Sequence, residues 1–176
     1  GSGGPYTWTL TVDGFNVVAD GDSHAMWYAV ATIERFDGPG ARHAATRGGE
    51  IVDLFGHGFG AFGTRMEAMY GHADAPVDEW YVAKCESVLN DGGEQGRRAR
   101  CVTAPGTGAD LHWQMIDPGG RAPKRSVATT SYAAPAITGL SGLSSFRTDG
   151  ADTDTALVTI TGTNFGPTVN PVSAVY

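Results

Sequence analysis

The chain has 176 residues, of which 41% are hydrophobic and 18% charged, and its formal net charge is −7. That is enough apolar chain for one or two packed domains, while an acidic balance disfavours a surface that follows nucleic-acid phosphates. No run of about 18 apolar residues is present to span a bilayer, and no secretory leader is visible in the sequence.

With 26 Gly and 9 Pro between short apolar runs, and no long stretch of 3.6-residue apolar period, the chain reads as all-β. Thr7 to Val12 alternates and predicts a strand, followed by the turn signal Asp13-Gly14. A second strand is expected over about 25–30. Further strands are expected near 33–36, 50–55, 65–70, 79–85, 99–104, 109–116 and 126–133. Seven short strands with turns such as Asn90-Asp91-Gly92-Gly93 suit a two-sheet sandwich.

One stretch organises the rest. Residues 49–60 (GEIVDLFGHGFG) return as 155–166 (TALVTITGTNFG), so Gly56, Phe59 and Gly60 fall on Gly162, Phe165 and Gly166, 106 positions on. Each copy reads as a strand running into a corner, with glycines at 56 and 60 expected to turn the backbone at positive φ and Phe59 folding back over the end of the sandwich. Earlier residues repeat at an offset of 104: Asp13 on Asp117, Tyr28 on Tyr132, Ile33 on Ile137. A fixed period with matching glycines marks a repeated module. One complete copy is expected over 32–136, after the C-terminal part of a preceding copy (1–31) and before the N-terminal part of a following one (137–176). The native polypeptide is accordingly expected to continue beyond both ends.

Cys85 and Cys101 are an even pair in a Gly-rich β chain, which fits one disulfide and an oxidising compartment. Two buried free thiols are the alternative. Five histidines (24, 43, 57, 72, 112) are scattered. His57 aligns with Thr163, His24 with Ala128 and His112 with Trp8, so the repeat does not require them and surface positions are expected. Neither a nucleophile elbow nor a phosphate loop is present. Asp149, Asp152 and Asp154 are weak Ca²⁺ candidates without the EF-hand pattern; solvated turns are the plainer reading. Trp8, Trp27, Trp80 and Trp113 either fill core and junctions or form a sugar- or protein-binding face.

The order of these motifs resembles the immunoglobulin-like fold shared by plexins and transcription factors, the IPT or TIG domain. The residues that carry the resemblance are Gly56-x-x-Phe59-Gly60, Cys85, Cys101 leading into Pro105, and the junction Tyr132-Ala133-Ala134-Pro135-Ala136-Ile137. The closing Gly162-x-x-Phe165-Gly166-Pro167 is closer still. The first junction, Tyr28 to Ile33, has Ala31 in place of the proline. The resemblance implies tandem immunoglobulin-like sandwiches, one complete and two partial, with junctions at Tyr28, Ile33, Tyr132, Pro135 and Ile137. It implies no catalytic residues and no cofactor. The expected role is a structural or adhesive module of an extracellular or cell-surface protein, a stalk or filament. Its partners would be neighbouring repeats and other extracellular proteins, without nucleic acid or membrane insertion. The alternative is an accessory carbohydrate-binding or spacer module of a secreted carbohydrate-active enzyme.

Overall fold

The computed structural model describes residues 4–18, 26–142 and 158–167. The protein is all-β, with three antiparallel sheets. A hairpin comes first: β1 (Thr9–Val12) and β2 (Phe15–Val18). The main sheet follows, built from β3 (Thr32–Asp37), β4 (Ile51–His57), β5 (Arg65–Gly71), β6 (Tyr81–Val88), β7 (Arg98–Val102), β8 (Leu111–Met115) and β9 (Thr129–Thr130). A second hairpin closes the order: β10 (Ala136–Gly142) and β11 (Val158–Thr163).

The main sheet runs β3-β4-β7-β6-β5-β8-β9. It folds over on itself into a sandwich-like form: Phe36 of β3 lies 5.7 Å from Trp113 of β8, ring centre to ring centre. A parallel bridge between Ala44 and Tyr132 brings the two ends of the sheet together. The inward residues alternate along the strands, as a half-buried strand requires. Val52 and Leu54 of β4, Ala83 and Cys85 of β6, Ala99 and Cys101 of β7, and Ala68 and Tyr70 of β5 meet Leu111, Trp113 and Met115 of β8 in one core. Trp113 stacks on Tyr70 at 4.1 Å.

The seven strands expected between 33 and 133 are all present, with the last reduced to two residues. The N-terminal segment differs. The strand expected over 25–30 is a single bridge, in which Met26 and Tyr6 exchange backbone hydrogen bonds of 2.9 Å. The partner of β1 is β2 instead. Asp13 and Gly14 both sit at positive φ, 48° and 82°, which is the two-residue hairpin loop whose twist suits paired strands. Val12 therefore faces Phe15 directly.

Two of the hairpins pair alike. β3 pairs with β4 as Thr32↔His57 and Ile33↔Gly56, then a bulge, then Arg35↔Phe55 and Phe36↔Leu54. β10 pairs with β11 as Ala136↔Thr163 and Ile137↔Gly162, then a bulge, then Gly139↔Thr161 and Leu140↔Ile160. Five of the six pairs in the second hairpin are those of the first shifted by 104 on one strand and 106 on the other, and the bulge falls at the same place. A one-residue slip would send every side chain to the opposite face, so a shared register means a shared inward face.

Candidate functional site

The corner after each of these hairpins is built alike. Gly58 and Asn164 have φ of 81° and 59°, and Gly60 and Gly166 have φ of 79° and 92°. Asn tolerates this left-handed region better than most residues. Gly56, expected at positive φ, is not there; it is glycine for another reason. A Cβ on Gly56 would land on the carbonyl oxygen of Thr32, and one on Gly162 on that of Ala136. The bulge presses the facing strand against this position, and only a bare Cα fits. Phe59 is buried in the core, and the ring of Phe165 lies where a Gly162 side chain would go.

Cys85 and Cys101 face each other across β6 and β7 and form a disulfide. The bond suits an oxidising environment. Closing a loop of this length contributes about 3 kcal/mol in the chain-entropy account.

Beyond the disulfide strand, a tyrosine cluster holds the loop that carries Pro105. Tyr132 donates its hydroxyl to the Ala104 carbonyl at 2.6 Å, so its contact of 2.6 Å with the Tyr70 hydroxyl must be donated by Tyr70. Tyr70 in turn accepts from the Ala104 N–H at 2.8 Å. Burial is the first cause that raises both phenols above their ordinary value. Tyr132 and Ile33, expected at junctions, thus lie in the core, while Tyr28, Pro135 and Ile137 are exposed.

The junction before β3 has its own fastening. Arg121 clasps the Asp117 carboxylate with two nitrogens at 2.9 and 3.0 Å and donates to the Tyr28 carbonyl at 2.5 Å. Its guanidinium lies 5.3 Å from the Trp27 ring centre. Arg121 holds the Asp117 carboxyl below the usual aspartate range. Below this clasp is an apolar cleft of about 500 Å³ between the Tyr28–Ala31 linker, Phe59, Met66 and Met115.

On the outer face of the main sheet, Asp53 of β4 accepts from Arg98 at 2.6 Å and from Arg100 at 2.9 and 3.1 Å, both on β7. Burial pushes the Asp53 carboxyl up, but the hydrogen bonds from Arg100 and Arg98 outweigh it and hold the group below its ordinary value. Arg35 of β3 stacks 3.5 Å above Phe55. His57 lies between Glu34, 3.0 Å away, and Arg97. These ties join β3, β4 and β7.

Two surfaces are apolar yet uncovered. Trp8, Leu10 and Val12 share a face with Phe15 and Val17, and all are exposed. Ile137, Leu140 and Val158 are exposed on the second hairpin. The pairing also corrects the alignment of Trp8 with His112. Met26 matches Thr130 at 104, and their facing residues are Tyr6 and Leu111, which are 105 apart. Trp8 therefore matches Trp113. The side chains agree: the Trp113 indole donates to the Thr130 hydroxyl at 2.7 Å, and the Trp8 indole to the Met26 sulfur at 2.6 Å. Trp8 and Asp13 are five positions apart and Trp113 and Asp117 four, so an alignment anchored on the two Asp displaces the tryptophans by one.

The Ca²⁺ candidates Asp149, Asp152 and Asp154 lie outside the described residues. Among the described residues no three His, Cys, Asp or Glu are grouped to hold a metal, and no helix is long and apolar enough to cross a membrane. The chain matches no family model, no characterised protein and no solved structure.

Proposed function

We propose that this chain is a non-catalytic structural or adhesive module of an extracellular or cell-surface tandem-repeat protein, and that its work is protein–protein contact. The observation that carries the reading is the second hairpin, which repeats the register, bulge and left-handed corner of the first. The main sheet then corresponds to one immunoglobulin-like unit over 32–136, of the IPT or TIG type. Its strand order fits: the single sheet runs β3-β4-β7-β6-β5-β8-β9, and folded over at the β6–β5 pairing it gives the four- and three-stranded halves, β3-β4-β7-β6 and β5-β8-β9, of a seven-stranded immunoglobulin sandwich. Residues 1–31 and 137–176 are then parts of neighbouring units. The clasp of Arg121 on Tyr28 sets the angle between one unit and the next, and the disulfide staples each complete unit against an oxidising exterior.

A carbohydrate-binding role in a secreted enzyme draws support from the exposure of Trp8 and Trp27. It is the weaker reading. Trp8 is the counterpart of a core tryptophan, and Trp27 is covered in part by Arg121.

The test is the mass of the native polypeptide, with thiol labelling before and after reduction. The reading expects a mass far above 18.3 kDa, with Cys85 and Cys101 labelled only after reduction. Thiols that label in native material would contradict it, and a native mass of 18.3 kDa would remove the tandem array. Glycan binding abolished by Trp8→Ala would favour the carbohydrate role.

A further inference from the structure

β6 is an inner strand of the main sheet, paired with β5 on one side and β7 on the other. Ala83, Cys85 and Ser87 point into the core, while Val82, Lys84 and Glu86 stand exposed on the outer side with Val88 half-buried. Both edges and one face of β6 are thus occupied, and the outer face is open. That opening belongs to the main sheet and to neither terminal hairpin. On the same face Val102 of β7 lies opposite Lys84, and Ile51 of β4 lies opposite Val102. Val82, Val102 and Ile51 are 47%, 46% and 39% exposed. Grouped apolar side chains rimmed by charge are the make-up of a contact surface.

The pattern of charge selects the partner. The outward residues of β6 read Val-Lys-Glu-Val, and turned end for end they read Val-Glu-Lys-Val. Consider two copies packed face to face about a two-fold axis that crosses β6 at Cys85. Lys84 then meets Glu86 of the second copy, and Val82 meets its Val88. Each contact occurs twice, as an isologous interface requires. Met66 of β5 and Cys101 of β7 lie in register with Cys85. The same axis therefore sets Arg65 against Glu67 of the second copy, and Val102 against the aliphatic stem of its Arg100. Packed sheets lie about 10 Å apart, a gap that a lysine and a glutamate span together. No like charges meet along these three strands. Among the described residues Arg65, Glu67, Lys84 and Glu86 form no ion pair within the chain, so the contact breaks none.

We propose that the outer face of β6 is a dimer interface, in which two copies pack face to face with their β6 strands antiparallel. The apolar side chains supply affinity, and the charges fix register and partner. The contact is closed, so its product is a dimer. This inference rests on the contact role proposed above and names its partner, but it fails separately. A chain that stays monomeric can still belong to a tandem array, and thiols that label in native material would leave this face unchanged.

Sedimentation of the 176-residue chain over rising concentration tests it through charge reversals, which keep the apolar side chains in place. The wild type is expected to reach twice 18.3 kDa. Lys84→Glu alone and Glu86→Lys alone each bring like charges together twice, and each should raise the dimer dissociation constant more than about tenfold. Mixed one to one, the two variants should pair with each other as tightly as the wild type pairs with itself. The double variant, Lys84→Glu with Glu86→Lys, should regain self-association. A wild type that stays monomeric would overturn the proposal. So would single reversals that associate like the wild type, or a mixture no tighter than its components. Both side chains are exposed, so an unchanged thermal transition is expected in each variant, and recovery in the mixture requires that both chains are folded.

Discussion

β3–β4 and β10–β11 are the same hairpin in two settings. Cross-strand pairs, bulge and corner coincide, while Val52 and Leu54 are fully buried and their counterparts Val158 and Ile160 are exposed and half-buried. Local sequence is therefore sufficient to set register and corner: apolar alternation, a glycine where the bulge crowds the facing strand, and a left-handed residue two positions later. Burial is not local. It comes from β8 and the strands packed beside it, and among the described residues none packs in that way on the second hairpin. The stability of the two copies should differ even though their geometry does not.

The largest expected difference is in the core. Leu54→Ala should destabilise the main sheet by about 2–5 kcal/mol, as for a fully buried leucine. Ile160→Ala, its counterpart, should shift the main thermal transition by less than about 0.5 kcal/mol. Equal effects in thermal unfolding would mean that both hairpins are buried alike in solution.

The ion pair sharpens the contrast next. Asp53 ties β4 to β7, whereas its counterpart Thr159 has no charge. Asp53→Asn removes the negative charge and one of the two acceptor oxygens that Arg98 and Arg100 share. The cost should be about 2–3 kcal/mol, below the figure for a wholly buried pair because Arg100 is half exposed. The Asp53 carboxyl is held lower in the folded state than in the unfolded chain. Its contribution is therefore present above about pH 4 and is lost as pH falls through the folded value. Urea titrations from pH 5 down to pH 2 should show a loss of stability that Asp53→Asn reduces.

Glycine substitutions should affect both hairpins. Gly56→Ala forces β3 away at the bulge and should cost about 1–3 kcal/mol in global stability. Gly162→Ala should shift the Ile137–Gly162 pairing without moving the main transition. Amide exchange at each hairpin separates the two effects. The smallest effect belongs to the corner. Asn164→Gly should steady the second hairpin by less than about 1 kcal/mol, because glycine takes the left-handed conformation at no steric cost. Gly58→Ala should weaken the first by about 1 kcal/mol. Both are readable as changes in local exchange.

Much of the architecture was legible because it rests on alternation and punctuation. The strands from Ile33 to Tyr132 follow apolar period two, and Cys85 and Cys101 sit on runs joined by Asn90-Asp91-Gly92-Gly93, which makes their pairing local. What escaped depends on contacts through space. Asp13-Gly14 announces a hairpin, but Phe15-Asn16-Val17-Val18 is too short an alternation to mark β2 as its second strand without the pairing to β1. Gly56 reads as a turn residue until the Thr32 carbonyl is seen opposite its Cα. Arg98, Arg100 and Asp53 alternate outward on their strands, but only the register of β4 against β7 makes them a cluster. The Arg121 clasp joins residues 93 positions apart, and no spacing rule predicts it.

The central claim is that the second hairpin is the first one repeated and left uncovered. Residue-resolved NMR of the chain tests it most directly, through cross-strand contacts together with amide exchange. The account predicts contacts between Leu140 and Ile160 and between Ile137 and Gly162, as between Phe36 and Leu54 and between Ile33 and Gly56. β10–β11 should exchange far faster than β3–β4. A register displaced by even one residue, or equal protection of the two hairpins in the monomer, would contradict it.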